Sequence, residues 1–141
     1  MSTNNVVTKL ELIAGYKFNV ISDVENLPNM LVDEAKPEGE GSGPNPTRLL
    51  ATAVGHCLSS SLIFCLKKAR ITIKKLETTV TTNLLRNDIG RLRIKCINVQ
   101  INLKVTTEDK SRVRRCLTIF EDYCTVTQSI RKGIEVNVDI Q

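Results

Sequence analysis

The chain has no tryptophan, and Phe and Tyr together reach only 4% of its 141 residues. A core must therefore come from Ile, Leu and Val, and there is no aromatic ladder on which bases could stack. There is one histidine, and the five cysteines show neither CxxC nor any other metal-ligand spacing, so no metal site is expected. Residues 1–8 are polar and lack the apolar segment of a signal peptide, and are read as a flexible N-terminus. No apolar run is read as long enough to cross a membrane, so a soluble, cytoplasmic protein without a membrane partner is expected.

What is present is ordinary for a folded domain. Hydrophobic residues make up 41% and charged residues 25%, and the length suits one domain spanning residues 1–141. The net charge of +5 comes from scattered cations, such as Lys67, Lys68 and Arg70 in one place and Arg112, Arg114 and Arg115 in another. With no zinc-finger, P-loop or RNP-type motif, a solvated basic face is the reading, and no nucleic-acid partner is expected.

The order of elements follows from periodicity. Residues 9–21 alternate imperfectly around Ala14-Gly15, which reads as a hairpin, and Met30-Leu31-Val32 as a third short strand. Residues 33–46 hold three Pro and three Gly, a loop that ends where Pro46 suits a first helical turn. Residues 47–69 are apolar nearly all round and close on Lys67 and Lys68, which predicts a long, central, largely buried helix. Residues 71–85 and 91–105 read as a long hairpin, with Leu92, Ile94, Cys96, Val99 and Ile101 taken as its apolar face. Thr107-Glu108-Asp109 looks like an N-cap for a helix that runs to about Tyr123, with Val113, Leu117 and Phe120 inward. A short helix at Cys124 and a final alternating strand over residues 134–140 complete the order β-β-(β)-α-β-β-α-α-β, an α+β domain.

Two cysteines lie where thiols do chemistry. Cys57 sits in the long helix, followed by Ser59, Ser60 and Ser61; Cys124 opens the short one. A thiol at a helix start meets unpaired N–H groups and the positive end of the dipole, which favour thiolate. A thiolate can attack a peroxide, and a second thiol can trap the sulfenic acid as a disulfide. Ser60 and Ser61 fall on the Cys57 side of the helix; His56 points about 100° away and is read as a packed or interface residue rather than a base. Cys65, Cys96 and Cys116 are read as structural thiols, free and buried.

Gly43-Pro44-Asn45-Pro46, Leu49-Leu50-Ala51 and Gly55-His56-Cys57 together resemble the signature of the OsmC/Ohr family, and Asp33-Glu34 is similar to its Asp-Glu segment. Cys124-Thr125-Val126-Thr127-Gln128-Ser129-Ile130 is similar to the family's second cysteine motif, in which a proline follows the cysteine. The resemblance spans about residues 10–140. It implies an OsmC-like fold, in which the cysteine helix packs on an antiparallel sheet inside an intertwined homodimer. It implies reduction of organic hydroperoxides with Cys57 as the attacking and Cys124 as the resolving cysteine, reset by a small dithiol or dithiol protein, with no cofactor. Family reductases also pair the thiolate with an arginine held by a glutamate; here Thr47 and Arg48 occupy the glutamate positions, and no arginine precedes Arg48. The alternative is a binding module of the same fold, holding a small apolar or thiol ligand at the dimer interface with weak or no catalysis.

Overall fold

The computed structural model describes residues 4–106, 108 and 110–141. Its contacts gather into two compact units, Met1–Leu49 and Leu50–Gln141. In the first, β1 (Thr8–Ala14), β2 (Lys17–Ser22) and β3 (Met30–Val32) form an antiparallel sheet in that order. Gly15 turns the β1–β2 hairpin at φ 56°, a left-handed conformation that costs glycine nothing. The loop that follows is tied to Asp33. Its Oδ2 accepts hydrogen bonds from Glu40 N (3.1 Å), Ser42 N (3.0 Å) and Ser42 Oγ (2.8 Å). These donors, chiefly Ser42 N–H, hold the Asp33 carboxyl below the usual carboxylate value against the upward push of burial.

The loop delivers the chain to α1 (Pro46–Lys68) through a cap the sequence reading did not single out. Asn45 Oδ1 accepts from Arg48 N at 3.0 Å, the position three residues into the helix, and Pro46 fills the first helical site as expected. In the second unit α1 buries one face, with Val54, Leu58, Leu62 and Leu66 at intervals of four. Leu66 is wholly inaccessible, whereas Phe64 is 53% exposed, so within one chain the helix is covered on one side and not all round. An 18-residue window of α1 has mean hydropathy 1.8, long and apolar enough to cross a membrane by length and composition. The polar Thr52, His56 and Ser59–Ser61 hid that run from the sequence reading. Its buried face makes it the core helix here.

The face of α1 packs on the hairpin of β4 (Ile73–Arg86) and β5 (Leu92–Val105) and on α2 (Lys110–Ile119). Ile97, Val99, Ile101, Leu103 and Val105 turn half-buried toward it. Leu92 and Ile94 share that face in register, opposite Arg86 and Leu84, but are exposed; Cys96 does not share it, although the sequence reading put it there. The ladder pairs Asn83 with Cys96 and then Leu84 with Ile94, so a bulge at Lys95 keeps Leu92 and Ile94 in phase with Ile97 and Val99 and puts Cys96 on the other face. Cys96 is consequently exposed, with Sγ 3.4 Å from Asn83 Oδ1. On α2 the inward face is Cys116, with Val113 beside it, and not Leu117, which is 47% exposed. The proposed cap at residues 107–109 includes two positions outside the described residues.

A 3₁₀ turn, Phe120–Tyr123, leads into α3 (Thr125–Lys132), which Gly133 ends at φ 79°. The final strand expected over residues 134–140 pairs with nothing among the described residues. Ile134, Val136, Val138 and Ile140 are 63–91% exposed. The alternation is there, but a strand needs a partner to bond, and among the described residues none pairs with this segment.

Candidate functional site

The site is built where the middle of α1 meets the start of α3. Cys124 is the N-cap residue of α3, with extended backbone (φ −80°, ψ 99°), and its carbonyl accepts the first helical bond from Gln128 N at 3.0 Å. Its N–H is already committed to Glu121 O at 3.1 Å, and Gln128 Nε2 donates to the same carbonyl at 3.1 Å. These bonds fix Cys124 at the junction, where its side chain is inaccessible to solvent. Its Sγ lies 3.0 Å from Thr127 Oγ1.

Cys57, half-buried on α1, is hydrogen-bonded to Cys124 through their sulfurs. Two cysteines 67 positions apart in sequence (124 − 57) are thus brought together, and both are free thiols. The backbone N–H groups of Val126 and Thr125 also point at Cys57, and those of Thr127 and Val126 at Cys124. Both sulfurs therefore sit over the unpaired donors of the first turn of α3, as the helix-start argument requires.

The two sulfurs titrate as a pair. Burial pushes the Cys57 thiol up, and its hydrogen bond to Cys124 pushes it further, outweighing the two N–H groups. Burial also pushes Cys124 up, but hydrogen bonds from Cys57 and Thr127 and from the N–H groups of Thr127 and Val126 bring it below the ordinary thiol value. The first proton lost is thus shared between them, with Cys57 as the donor. Thr125 has a consequence that the sequence does not announce. A proline at that position has no N–H, whereas Thr125 supplies one to Cys57.

The other candidates lie elsewhere. His56 is exposed rather than packed. Of the three serines, the one with a defined bonding role is Ser59, on the opposite side of α1 from Cys57. Its Oγ donates to Gly55 O at 2.7 Å and meets Thr78 Oγ1 at 2.6 Å, tying α1 to β4. Cys65 and Cys116, expected as free core thiols, are joined as a disulfide with Cα atoms 5.6 Å apart. Spacing could have suggested it: 57 and 65 on α1 mirror 124 and 116, so an antiparallel run that pairs one couple also pairs the other. An apolar cavity of about 420 Å³ adjoins the site, with Leu58, Val99, Phe120 and Thr127 in its wall and Arg131 and Glu121 at its edge. Arg131 and Glu121 are ion-paired at 2.6 Å. Among the described residues no cluster of three metal-ligating side chains occurs.

Comparison with known proteins agrees with this architecture. The OsmC-like protein family model matches residues 39–139, and the chain belongs to that family. An OsmC-like protein from Mycoplasma pneumoniae superposes with a TM-score of 0.76 at 16% identity, covering 92% of this chain and 89% of that one. An organic hydroperoxide resistance protein from Legionella pneumophila gives 0.64 at 18%, covering 93% and 92%. A putative organic hydroperoxide resistance protein from Vibrio cholerae, with captopril bound in one of its active sites, gives 0.62 at 22%, covering 96% and 90%. No curated protein sequence matches the chain. The α+β, OsmC-like fold expected from the sequence is the one observed.

Proposed function

We propose that this chain is a two-cysteine thiol peroxidase that reduces organic hydroperoxides in the cytoplasm. One observation carries the reading: two free thiols, distant in sequence, share a hydrogen bond over the N–H groups of one helix start. Cys57 is the attacking thiol because it is the more accessible of the two, and Cys124, wholly enclosed, is the resolving one. The Cys57 thiolate attacks the distal peroxide oxygen; the O–O bond breaks, the alcohol leaves, and Cys57 becomes a sulfenic acid. The Cys124 thiolate then displaces hydroxide and forms the disulfide. A small dithiol or dithiol protein reduces that disulfide and is itself oxidised. The apolar wall of the adjoining cavity suits the organic part of the substrate.

A homodimer completes the proposal. Its support is the alternating segment 134–140, which has no partner strand among the described residues, and the open side of α1.

The direct test treats the reduced protein with an alkyl hydroperoxide and maps its disulfides by peptide mass spectrometry. A Cys57–Cys124 link, lost in Cys57→Ser and replaced by sulfenic acid or higher oxides in Cys124→Ser, is the expected result. Absence of the link despite loss of peroxide would refute the cycle. The second reading, an OsmC-fold binding module for a small apolar or thiol ligand, draws on the upward push on Cys57. It is favoured if both thiols react with alkylating reagents but neither consumes peroxide at any pH.

A further inference from the structure

The Cys65–Cys116 disulfide has its own opening to solvent. A surface cavity of about 310 Å³ is lined by both cysteines together with Lys68, Arg112, Arg115 and Ile119. Every charged side chain in that lining is a cation. Two of them are anchored at the rim: Arg112 Nη1 donates to Ala69 O at 2.7 Å, and Lys68 Nζ lies 4.9 Å from the centre of the Phe64 ring. Arg112 and Cys116 are four residues apart on α2, and Arg112 and Arg115 three apart, so the cations and the sulfur share one side of that helix.

The site is separate from the Cys57–Cys124 pair. Cys65 follows Cys57 by eight residues on α1, a rise of about 12 Å. Thiol–disulfide exchange needs sulfur to touch sulfur, so one pair cannot hand electrons directly to the other within the chain. Whatever opens Cys65–Cys116 must enter through its own cavity. The two sulfurs are also unequal: Cys116 is 2% exposed, whereas Cys65 is half-buried and faces the opening.

We propose that Cys65–Cys116 is a second thiol–disulfide exchange site, selective for anionic thiols. The incoming thiolate attacks Cys65 Sγ, the Cys65–Cys116 bond breaks, and the Cys116 sulfur leaves as a thiolate beside the arginines. A second equivalent of thiol resolves the mixed disulfide, releasing the oxidised ligand as its own disulfide. In net terms the protein disulfide takes up two electrons and two protons, and two thiols become one disulfide. The cations act twice, concentrating an anionic thiol at the mouth and stabilising the departing thiolate.

The test uses the full-length oxidised protein and two thiols of opposite charge, glutathione and cysteamine, at matched thiolate concentration. Differential alkylation with peptide mapping reads Cys65 and Cys116 apart from Cys57 and Cys124, so the outcome is independent of peroxidase activity. Glutathione should open the pair about tenfold faster at low salt, the lower end of electrostatic steering, with the advantage shrinking as salt rises. The Lys68→Gln/Arg115→Gln variant should lose most of that preference. Lys74→Gln/Lys104→Gln, with the same change in net charge on the β4–β5 hairpin, should keep it. Equal rates for the two thiols, an equal loss in both variants, or a pair that stays closed until the protein unfolds would each overturn the proposal.

Discussion

Gly55→Ala sets two effects of known size against each other. Gly55 is buried in α1, two residues before Cys57, where the helix passes close to β4. A Cβ added there would lie 2.6 Å from Val80 Cγ2 and 3.6 Å from Thr78 Cγ2. The first distance is about 1 Å inside ordinary carbon contact. Val80 cannot easily retreat, because its β-branched side chain has few rotamers on a strand. In an open helix the substitution would stabilise by about 1 kcal/mol, since alanine is the better helix former. Overpacking a fitted contact costs about 1–3 kcal/mol. The clash therefore wins, and Gly55→Ala should destabilise by about 1 kcal/mol, with an upper bound of about 2. Urea unfolding should show the midpoint falling at constant slope. The decisive arm is the same change in a Val80→Ala background, where the obstructing methyl is gone and the sign should reverse to a gain of about 1 kcal/mol. A gain in both backgrounds would refute the close approach of α1 to β4, and with it the account of how Cys57 is held.

Further outcomes follow from the same contacts. Thr125→Pro removes an N–H that lowers the Cys57 thiol, so the Cys57 pKa should rise and alkylation of Cys57 at pH 8 should slow; a faster reaction would contradict the placement of that donor. Asp33 is held below its unfolded value, so its stabilisation is present above the unfolded carboxylate pKa of about 3.9 and is lost as pH falls through the lower folded value. Asp33→Asn should remove that part of the acid dependence, read as a flattened plot of stability against pH below neutrality. Opening Cys65–Cys116, which are separated by 51 residues, should lower stability by about 4 kcal/mol on the chain-entropy account, measured by urea unfolding with and without a reductant; no change would show that the link constrains nothing.

The legible parts of the sequence were those governed by local rules. Pro46, Gly15 and Gly133 punctuate the chain because their backbone preferences are intrinsic, and the elements they bound fell within a residue or two of expectation. Periodicity failed where a second strand decides the outcome. The β5 alternation looks continuous through Cys96, and only the pairing with β4 reveals the bulge that turns Cys96 to the other face while Leu92 and Ile94 stay in phase with Ile97 and Val99. The 134–140 segment failed for a related reason, since alternation records a tendency to pair and not the presence of a partner. At the site, the motifs singled out Cys57 and Cys124, and the structure brings them together. The Cys65–Cys116 link was missed because each cysteine alone has the signature of an ordinary buried thiol. The role of Thr125 was missed because its contribution is a backbone N–H, which every residue except proline possesses.

That N–H bears on how the proposed peroxidase activates Cys57. An arginine beside the attacking sulfur would lower its pKa by charge. Here the groups acting on Cys57 are burial, the second sulfur and two backbone donors, and their sum is upward. The same hydrogen bond that raises Cys57 lowers Cys124, so the pair parts with its first proton more readily than an isolated buried thiol would. On the proposed reading, the attacking thiolate forms when the remaining proton shifts from Cys57 to Cys124, and the donors of α3 then stabilise the charge on Cys57. Such a site sacrifices thiolate population at neutral pH and gains readiness to resolve, because the proton acceptor and the resolving nucleophile are one residue. Its rate should climb with pH through the mildly alkaline range. In Cys124→Ser the single oxidation of Cys57 should become less pH-dependent near neutrality, since the neighbour that pushes Cys57 up is gone. A wild-type rate flat from pH 6 to 9 would mean that a cation from outside this chain activates Cys57.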